Sequence, residues 1–306
     1  MAQKKNVTIT VRSRLFINIV LFLAVLFLAF FLSRNTNDNE NTNIKLTTIN
    51  PVSVEQIQII RRDLDEITFI KKNGQWIMQT PYLIAANKIR INTMLKLLGA
   101  HSYTRLNESE VELERFLLDD PVVSIKFNDA LISFGDTSPL DKHRYVLFDN
   151  SVHLINDSLY QQLLTSATFF ISPNLLPPDS KIEALHLPGR EILKVDGKWT
   201  IEPDMNISAD KVIEVLDAWQ DVAAVTVRTY EETEVLNRIN VDLGNSEIIK
   251  YLVISDAPKL ILARPDLGIQ YHISNYEAER LFLPGSKAPE NIEESADTDV
   301  TEKNNI

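Results

Sequence analysis

Histidine side chains can bind metal ions or act as general bases near neutral pH, so the histidines are the first candidates for chemistry. The chain has five of them: His101, His143, His153, His186 and His272. No two have the spacing that places a pair of ligands on one face of a helix. His153 and His272 occupy matching places in two predicted strands, where a histidine more often faces solvent or is satisfied by the fold. His143, beside Asp141 and Arg144, lies in a predicted charged loop. The histidines therefore predict neither a metal site nor a catalytic base.

Other groups that could carry out catalysis give no stronger signal. The absence of cysteine excludes disulfides, thiolate metal sites, a lipid-modified cysteine and a thiol nucleophile. Neither a Gly-x-Ser-x-Gly motif nor a His-Glu-x-x-His motif occurs, and the 8 glycines form no phosphate-binding loop. Asp119 and Asp120 precede Pro121, and residues 135–139 read Gly-Asp-Thr-Ser-Pro, which are both patterns typical of turns. We therefore predict no catalytic residue, no cofactor and no metal ligand.

Two similar hairpins organise the chain that would position any site. Residues 67–77 alternate like a strand up to Asn73-Gly74 and continue from Trp76, and residues 191–201 do the same around Asp196-Gly197 and Trp199. Asn-Gly and Asp-Gly accept the positive φ angles of a two-residue hairpin turn. The two glycines are 123 residues apart, and so are the two tryptophans (197 − 74 and 199 − 76). This spacing predicts a duplicated fold, with both tryptophans packed in the core.

A helix is predicted after each hairpin, because the apolar period changes there from two to that of a helix. Asn87 and Ser208 stand where the N-caps would be. The two apolar stripes are Ile91, Met94, Leu95 and Leu98 in the first copy and Val212, Val215, Leu216 and Trp219 in the second. The two-residue difference in offset between hairpins and helices falls in a loop, where insertions are tolerated.

Further strands are predicted after each helix, at 100–105 and 223–228. A short charged segment, 108–118 or 231–243, then leads into a meander. The predicted meander strands are 122–127, 130–134, 144–148 and 152–155 in the first copy and 248–254, 259–263 and 270–273 in the second. The sequence thus predicts an α+β fold with two tandem copies of an antiparallel sheet-plus-helix unit, each ending in a short helix.

An apolar run at 15–32 precedes the folded region and contains one Asn and no charge. Its length suits a single transmembrane helix. The run ends without the small-x-small pattern of a signal peptidase site, which favours an uncleaved anchor. Lys4, Lys5, Arg12 and Arg14 lie before it, so the amino terminus is predicted to be in the cytoplasm and the bulk of the chain outside it.

Composition divides the chain into segments. We predict a cytoplasmic tail 1–14, the anchor 15–32, a polar linker 33–50, a first repeat 51–172, a Pro-rich linker 173–180, a second repeat 181–284 and a disordered acidic tail 285–306. The net charge is −11, and the part that follows the basic amino terminus is more acidic still. Nucleic acid and anionic lipid surfaces both require a basic footprint, so neither is predicted as the main partner.

The order of these features resembles the bacterial family known as domain of unknown function 4340. The resemblance rests on the Gly-x-Trp hairpin, the capped helix and the series Leu118-Asp119-Asp120-Pro121, Ile132-Ser133-Phe134-Gly135 and Arg144-Tyr145-Val146, and it covers roughly 52–283. Members of the family are typically anchored by one transmembrane helix, and some are encoded beside an ABC-type transport system related to gliding motility. The resemblance therefore implies an accessory role outside the cytoplasm, and it implies no catalytic residue. The second copy departs from the pattern at Ala263-Arg264-Pro265, where Phe134-Gly135-Asp136 would be expected.

The expected function is that of a non-enzymatic interaction protein in the bacterial cytoplasmic membrane, an accessory component of an envelope or ABC-type transport complex. Acidic, duplicated domains that lack convergent ionisable groups suit binding better than turnover. One alternative is an envelope hydrolase acting on cell-wall or polysaccharide material, which would need two carboxylates about 5 to 9.5 Å apart in a cleft. Another is a small-ligand or carbohydrate-binding module, which would need exposed aromatic residues on a concave surface.

Overall fold

The computed structural model describes residues 44–204, 206–244 and 247–283, together with Leu21, Phe22, Val25 and Phe27. The described residues from Lys45 to Leu283 form one compact unit, and the described residues before Lys45 are grouped separately. Two antiparallel sheets and a few helices make up the compact unit. This confirms the α+β class, with β-structure predominating.

The first sheet has nine strands in the order β4-β3-β2-β1-β6-β7-β8-β9-β5. Their bounds are β1 Gln56–Arg61, β2 Leu64–Lys72, β3 Gln75–Thr80, β4 Ile84–Ala85, β5 Ser102–Asn107, β6 Val123–Phe127, β7 Ala130–Thr137, β8 Arg144–Phe148 and β9 Ser151–Ile155. All neighbouring strands are antiparallel. The connection from β4 to β5 crosses from one edge of the sheet to the other.

The second sheet has eight strands in the order β12-β11-β10-β14-β15-β16-β17-β13. Their bounds are β10 Ala184–Leu187, β11 Arg190–Val195, β12 Lys198–Glu202, β13 Thr226–Thr229, β14 Asn237–Asp242, β15 Ile248–Ser255, β16 Ile261–Arg264 and β17 Ile269–His272. With β10 taken as the counterpart of β1, the two sheets have the same strand order, and β4 is the extra strand of the first sheet. The shared order is what the spacing of the two hairpins predicts.

Each sheet carries one crossing helix and one short closing helix. The α-helices are α1 Lys88–Lys96, α2 Tyr160–Leu163, α3 Ala209–Asp221 and α4 Asn275–Arg280. The side chains of Asn87 and Ser208 accept hydrogen bonds from backbone N–H groups in the first turns of α1 and α3, which confirms both N-caps. Short 3-10 turns lie at Pro51–Ser53, Leu97–Gly99, Glu108–Glu110, Leu113–Phe116, Ala167–Phe170 and Pro265–Leu267.

Both predicted hairpin turns are present. Asn73 and Gly74 have φ angles of 51° and 80°, and Asp196 and Gly197 have 51° and 77°. Two successive positive φ angles are the geometry of a type I′ turn, which explains the choice of Asn, Asp and Gly there. The tryptophans that follow are only half-buried and pack at the margin of the core, whereas Trp219 on α3 is fully buried. The prediction that Trp76 and Trp199 are core residues is therefore met only in part.

One face of each sheet packs into the core. Ile59 pairs with Ile67 on one side and with Ile125 on the other, and all three side chains are fully buried. In the second sheet Ile239 pairs with Tyr251, and both side chains are fully buried. Burial of alternate residues along antiparallel strands is what gives the period of two in the sequence.

The second sheet contains two strands that the sequence does not predict, β10 and β14. β14 lies inside the segment 231–243, which was predicted to be a charged connection. Its buried residues Ile239 and Val241 alternate with polar ones, so the strand pattern is short and surrounded by charge. With β14 included, β15 is the counterpart of β7 and β16 that of β8. Ala263-Arg264-Pro265 therefore does not correspond to Phe134-Gly135-Asp136.

Gly135 also differs from its prediction as a turn residue, because it lies within β7. A Cβ atom at this position would approach the backbone oxygen of Phe116 to 2.2 Å and the side chain of Leu118 to 2.8 Å. The segment that ends at Leu118 thus covers the outer face of the first sheet at this glycine. Glycine is needed here for close approach of two backbones.

Two segments predicted as linkers contribute to the folded unit. Leu46 and Thr47, in the predicted linker 33–50, are buried, and Leu46 N donates to Ala100 O at 2.8 Å. Leu175 and Leu176, in the predicted linker 173–180, are also buried. Leu46, Leu175 and Leu176 supply the apolar surface by which the two segments pack, and Thr47 Oγ1 donates to Leu98 O. The division into domains at 173–180 stays a prediction.

Of the predicted anchor 15–32, only Leu21, Phe22, Val25 and Phe27 are described, and all four are helical. No helix within the described residues is long and apolar enough to cross a membrane. The predicted cytoplasmic tail 1–14 and acidic tail 285–306 lie outside the described residues.

Candidate functional site

A cleft of about 270 Å³ opens in the first half of the folded unit, beside the carboxyl end of α1. Its floor is formed by the buried side chains of Leu97, Phe134, Ile155 and Leu159. Leu97 belongs to the turn after α1, and Ile155 ends β9, so the crossing helix and the last strand of the meander position the floor together. A concave site of this kind is the usual place for a bound ligand.

Polar side chains surround this apolar floor. Lys96, Asn156 and Ser158 stand exposed at the rim, and His101 and Tyr103 form one wall. Lys96 is the last residue of α1, whereas Asn156 and Ser158 come from the connection between β9 and α2. The cleft therefore combines an apolar base with hydrogen-bond donors and one cation at its opening.

The carboxylate of Asp157, which also lines the cleft, is held by a buried arginine. Arg144 Nε lies 2.7 Å from Asp157 Oδ2, and the guanidinium lies 3.6 Å above the ring of Tyr160. Arg144 also donates to the backbone oxygen of Gly135. The other carboxylate oxygen, Oδ1, accepts the Tyr160 amide at 3.2 Å. Arg144 thus neutralises Asp157 and connects β7, β8 and the start of α2.

The wall of the cleft is an aromatic cluster. Tyr103 is stacked on His143 with ring centroids 3.9 Å apart, and His101 meets Tyr103 at 84° and 4.6 Å. His143 Nδ1 lies 2.9 Å from Asp141 Oδ2. Hydrogen bonds from the Ser138 hydroxyl and the His143 amide lower the pKa of Asp141. Two histidines that are 42 positions apart (143 − 101) thus contact the same tyrosine.

The remaining histidines are separate from the cleft lining. His153 is buried, with Nδ1 2.9 Å from Ser102 Oγ, and burial together with the nearby Arg105 lowers its pKa to about 4. His272 lies on β17 but faces away from the core, because it is Tyr271 that takes the buried position. Burial, Arg228 and Lys259 lower the pKa of His272. The two histidines predicted to match therefore lie on opposite faces of their sheets.

The fold explains the positions of His186 and of the adjacent residues Asp119 and Asp120 without any role in catalysis. His186 Nδ1 lies 3.2 Å from Glu191 Oε1 on the neighbouring strand. Asp120 pairs with Arg62 at 3.1 Å, and its side chain is 74% exposed. Asp119 and Asp120 thus occupy an exposed bend, as their sequence predicts. Across the described residues, no group of three or more His, Asp or Glu side chains is arranged to hold a metal ion.

The corresponding region of the second half is packed differently. There α3 packs against α4, and Trp219 Nε1 donates to the backbone oxygen of Leu281 at 2.9 Å. Arg264 forms a two-point contact with Asp266 at 3.0 and 2.7 Å, which lowers the pKa of that carboxyl. The sequence predicts Trp219 in the apolar stripe of its helix but does not indicate that Lys96, Arg144 and Asp157 form a group.

These observations define an α+β protein with two sheets of equal strand order, one of which carries a cleft. The model of the family described as Domain of unknown function (DUF4340) matches residues 76–259, which is more than half of the chain. The chain belongs to this family, and the resemblance drawn from its sequence is confirmed. The match extends from β3 to the turn before β16, so it includes parts of both sheets. Comparison with curated proteins and with solved structures gave no match.

Proposed function

We propose that this protein is a membrane-anchored, non-enzymatic interaction protein and an accessory component of an envelope or ABC-type transport complex. Its amino terminus would lie in the cytoplasm and its folded unit on the other side of the bacterial cytoplasmic membrane. Interaction would use the edges of the two sheets.

The observation that carries the proposal is the way one segment joins the sheets. Asn87 N donates to Phe170 O at 2.7 Å and Ser172 N to Ala85 O at 2.9 Å, at the β4 edge of the first sheet. Ala224 N donates to Pro173 O at 2.8 Å, just before the edge strand β13 of the second. A few consecutive residues thus bond to both sheets. A connection of this kind resists relative motion, as a scaffold for partners requires.

The joined sheets leave edges available for a partner. β5 and β12 end their sheets, and no strand within the described residues pairs with the outer side of either. The counterpart of β12 in the first sheet, β3, is covered by β4. An unpaired edge presents backbone N–H and C=O groups that can accept a further strand. β12 is therefore the preferred contact strand.

The buried ionisable groups favour this role over hydrolysis. Arg144 is bound to Asp157, and Arg61 donates to the backbone oxygens of Asp65 and Thr165. The hydrolase alternative requires two carboxylates that share a cleft. Within the described residues, the cleft beside α1 is lined by a single carboxylate, and that one is already paired with arginine.

The four described residues of the predicted anchor support membrane attachment. Leu21, Phe22, Val25 and Phe27 are helical, and each is more than half exposed. Exposed apolar side chains of this size are costly in water and favourable in lipid.

Site-specific photo-crosslinking in intact cells tests the proposal. A photoreactive residue would replace Thr200, which is exposed on β12, and in a control Gln220, which is exposed on α3. After mild detergent extraction, mass spectrometry would identify the adducts. We expect the Thr200 variant to capture a component of a membrane complex and the Gln220 variant to capture much less.

Recovery of the Thr200 variant without any adduct, in cells where the protein is present at its normal level, would contradict the edge-strand proposal. Equal capture of many unrelated proteins from both positions would contradict it as well.

A further inference from the structure

Lys96 is a cation at the cleft rim for which the fold supplies no counter-ion. No carboxylate within the described residues forms an ion pair with it. A lysine in the last turn of a helix can be explained by the helix dipole. Here, however, the dipole gives the ammonium group no direct partner, because Lys96 Nζ donates no hydrogen bond within the described residues. The ammonium group is therefore free to bind an anion.

The other charge at the cleft does not cancel Lys96. Asp157 is bound to Arg144 at 2.7 Å, so this pair is close to neutral as a unit. The rim also carries the Asn156 amide and the Ser158 hydroxyl, and neither side chain has a hydrogen-bond partner within the described residues. A net positive charge and two free donors at one opening favour a carboxylate over a neutral or cationic group.

The apolar floor and the volume of the cleft limit the polarity and the size of the part of the ligand that lies below its anionic group. Leu97, Phe134, Ile155 and Leu159 present apolar surface, and this requires an apolar body below the anionic group. A volume of about 270 Å³ lies just below the roughly 300–1,000 Å³ of pockets that hold drug-sized ligands, so it suits a smaller molecule. A ligand with on the order of ten non-hydrogen atoms would cover the apolar floor.

The cleft lining of the first half differs from the corresponding positions of the second half. At the place of Lys96, the second half has the acidic Asp217, by the spacing of the two N-caps (208 − 87 = 217 − 96). The second half also packs α3 against α4 through Trp219 and Leu281. The same fold thus carries a lysine at this position in one half and an aspartate in the other, with different packing beside it.

We propose that the cleft binds a small organic monoanion, a carboxylate joined to a short apolar or aromatic body. Lys96 contacts the carboxylate, Asn156 and Ser158 donate to it, and the body lies on Phe134 and Leu159. This binding site goes beyond the proposed interaction role and does not depend on it.

Ligand-observed fluorine NMR on the full chain tests the proposal with three probes of nearly equal shape: para-fluorobenzoate, para-fluorobenzamide and para-fluorobenzylammonium. We expect the benzoate to bind more tightly than the amide, and the ammonium compound to bind least. Lys96→Met should weaken binding of the benzoate about tenfold, since a charge-assisted hydrogen bond at an exposed site is lost. Lys96→Arg should retain most of the affinity.

Lys88→Met is the matched control, because Lys88 is an exposed lysine at the other end of α1. It should leave the dissociation constant unchanged. Equal affinity for benzoate and benzamide, or equal loss of affinity in Lys88→Met and Lys96→Met, would overturn the proposal. So would absence of benzoate binding to the wild-type chain at millimolar concentration, and none of these results would bear on the crosslinking experiment at β12.

Discussion

Replacing His153 with glutamine should remove much of the acid sensitivity of the folded unit. The His153 side chain lies at the core face of β9, and the residue is only 2% exposed. Its Nδ1 lies 2.9 Å from Ser102 Oγ, and its cross-strand neighbour is Arg105. Burial first, and then the charge of Arg105, lower the pKa of His153 from 6.5 to about 4. The fold therefore favours the neutral imidazole.

The sign and the size of the effect follow from proton linkage. Between about pH 6.5 and pH 4, the unfolded chain binds a proton at His153 that the folded chain does not bind. The stability contributed by the neutral imidazole is complete above about pH 6.5 and is lost as the pH falls toward 4. A difference of about 2.5 pKa units, at ~1.36 kcal/mol per unit, corresponds to about 3 kcal/mol.

Urea unfolding of the wild-type chain and of His153→Gln, each at neutral pH and at about pH 4, measures this loss. Glutamine keeps a hydrogen-bonding group near Ser102 but does not titrate. Carboxylates elsewhere affect both proteins equally, so the wild-type chain should lose about 3 kcal/mol more than the variant. His186→Gln, a change at a partly exposed histidine, should retain the full wild-type loss. Equal losses in wild type and His153→Gln would refute the reasoning.

Two further predictions concern packing and use the same unfolding assay. Trp219→Ala should cost about 3–5 kcal/mol because the indole is fully buried and hydrogen-bonded, whereas half-buried Trp76 should cost about half as much; equal costs would contradict the burial assignment. Gly135→Ala should destabilise by about 1–3 kcal/mol because its Cβ would meet a backbone oxygen at 2.2 Å, and Gly99→Ala, with nothing within 4 Å, should be nearly neutral. A neutral Gly135→Ala variant would show that the two backbones can separate without cost.

The local features of this fold were accessible from the sequence because their signals lie within a few residues. Asn73-Gly74 and Asp196-Gly197 specify turns that need positive φ, and Asn87 and Ser208 accept N–H groups two or three residues ahead. Because the two hairpins recur at a fixed spacing, the chain is predicted to contain two copies of one fold. The strand order of one sheet therefore predicts the strand order of the other.

Features that depend on which strands pair could not be predicted from local sequence in this way. β14 was missed because its two buried residues are surrounded by charged and polar ones. His153 and His272 were matched by their place in a strand, but a shift of one residue moves a side chain to the other face. Only the register, in which Val146 pairs with His153 and Leu262 with Tyr271, decides which residue enters the core.

Prediction of the cleft from the sequence would require knowing which distant parts of the chain come together. Lys96 ends a helix, Asp157 follows β9, and Arg144 begins β8. These residues meet because β5 crosses to the far edge of the sheet and pairs with β9, which in turn pairs with β8. Nothing in the spacing of Tyr103 and His143 indicates that their rings stack. A search for motifs could not find a site assembled in this way.

Comparison of the two halves separates what the fold requires from what one half has acquired. Both halves keep the type I′ hairpin, the capped crossing helix and the strand order, so these features are needed to build the unit. The cleft of the first half lies between its crossing helix and its closing helix, with Lys96 at the rim; in the second half Asp217 takes the place of Lys96, and Trp219 is bonded to Leu281. Since the same topology carries a different charge and different packing in each half, the residues that line the cleft beside α1 are not dictated by the fold. This is the physical reason to look for a ligand there before any other part of the molecule.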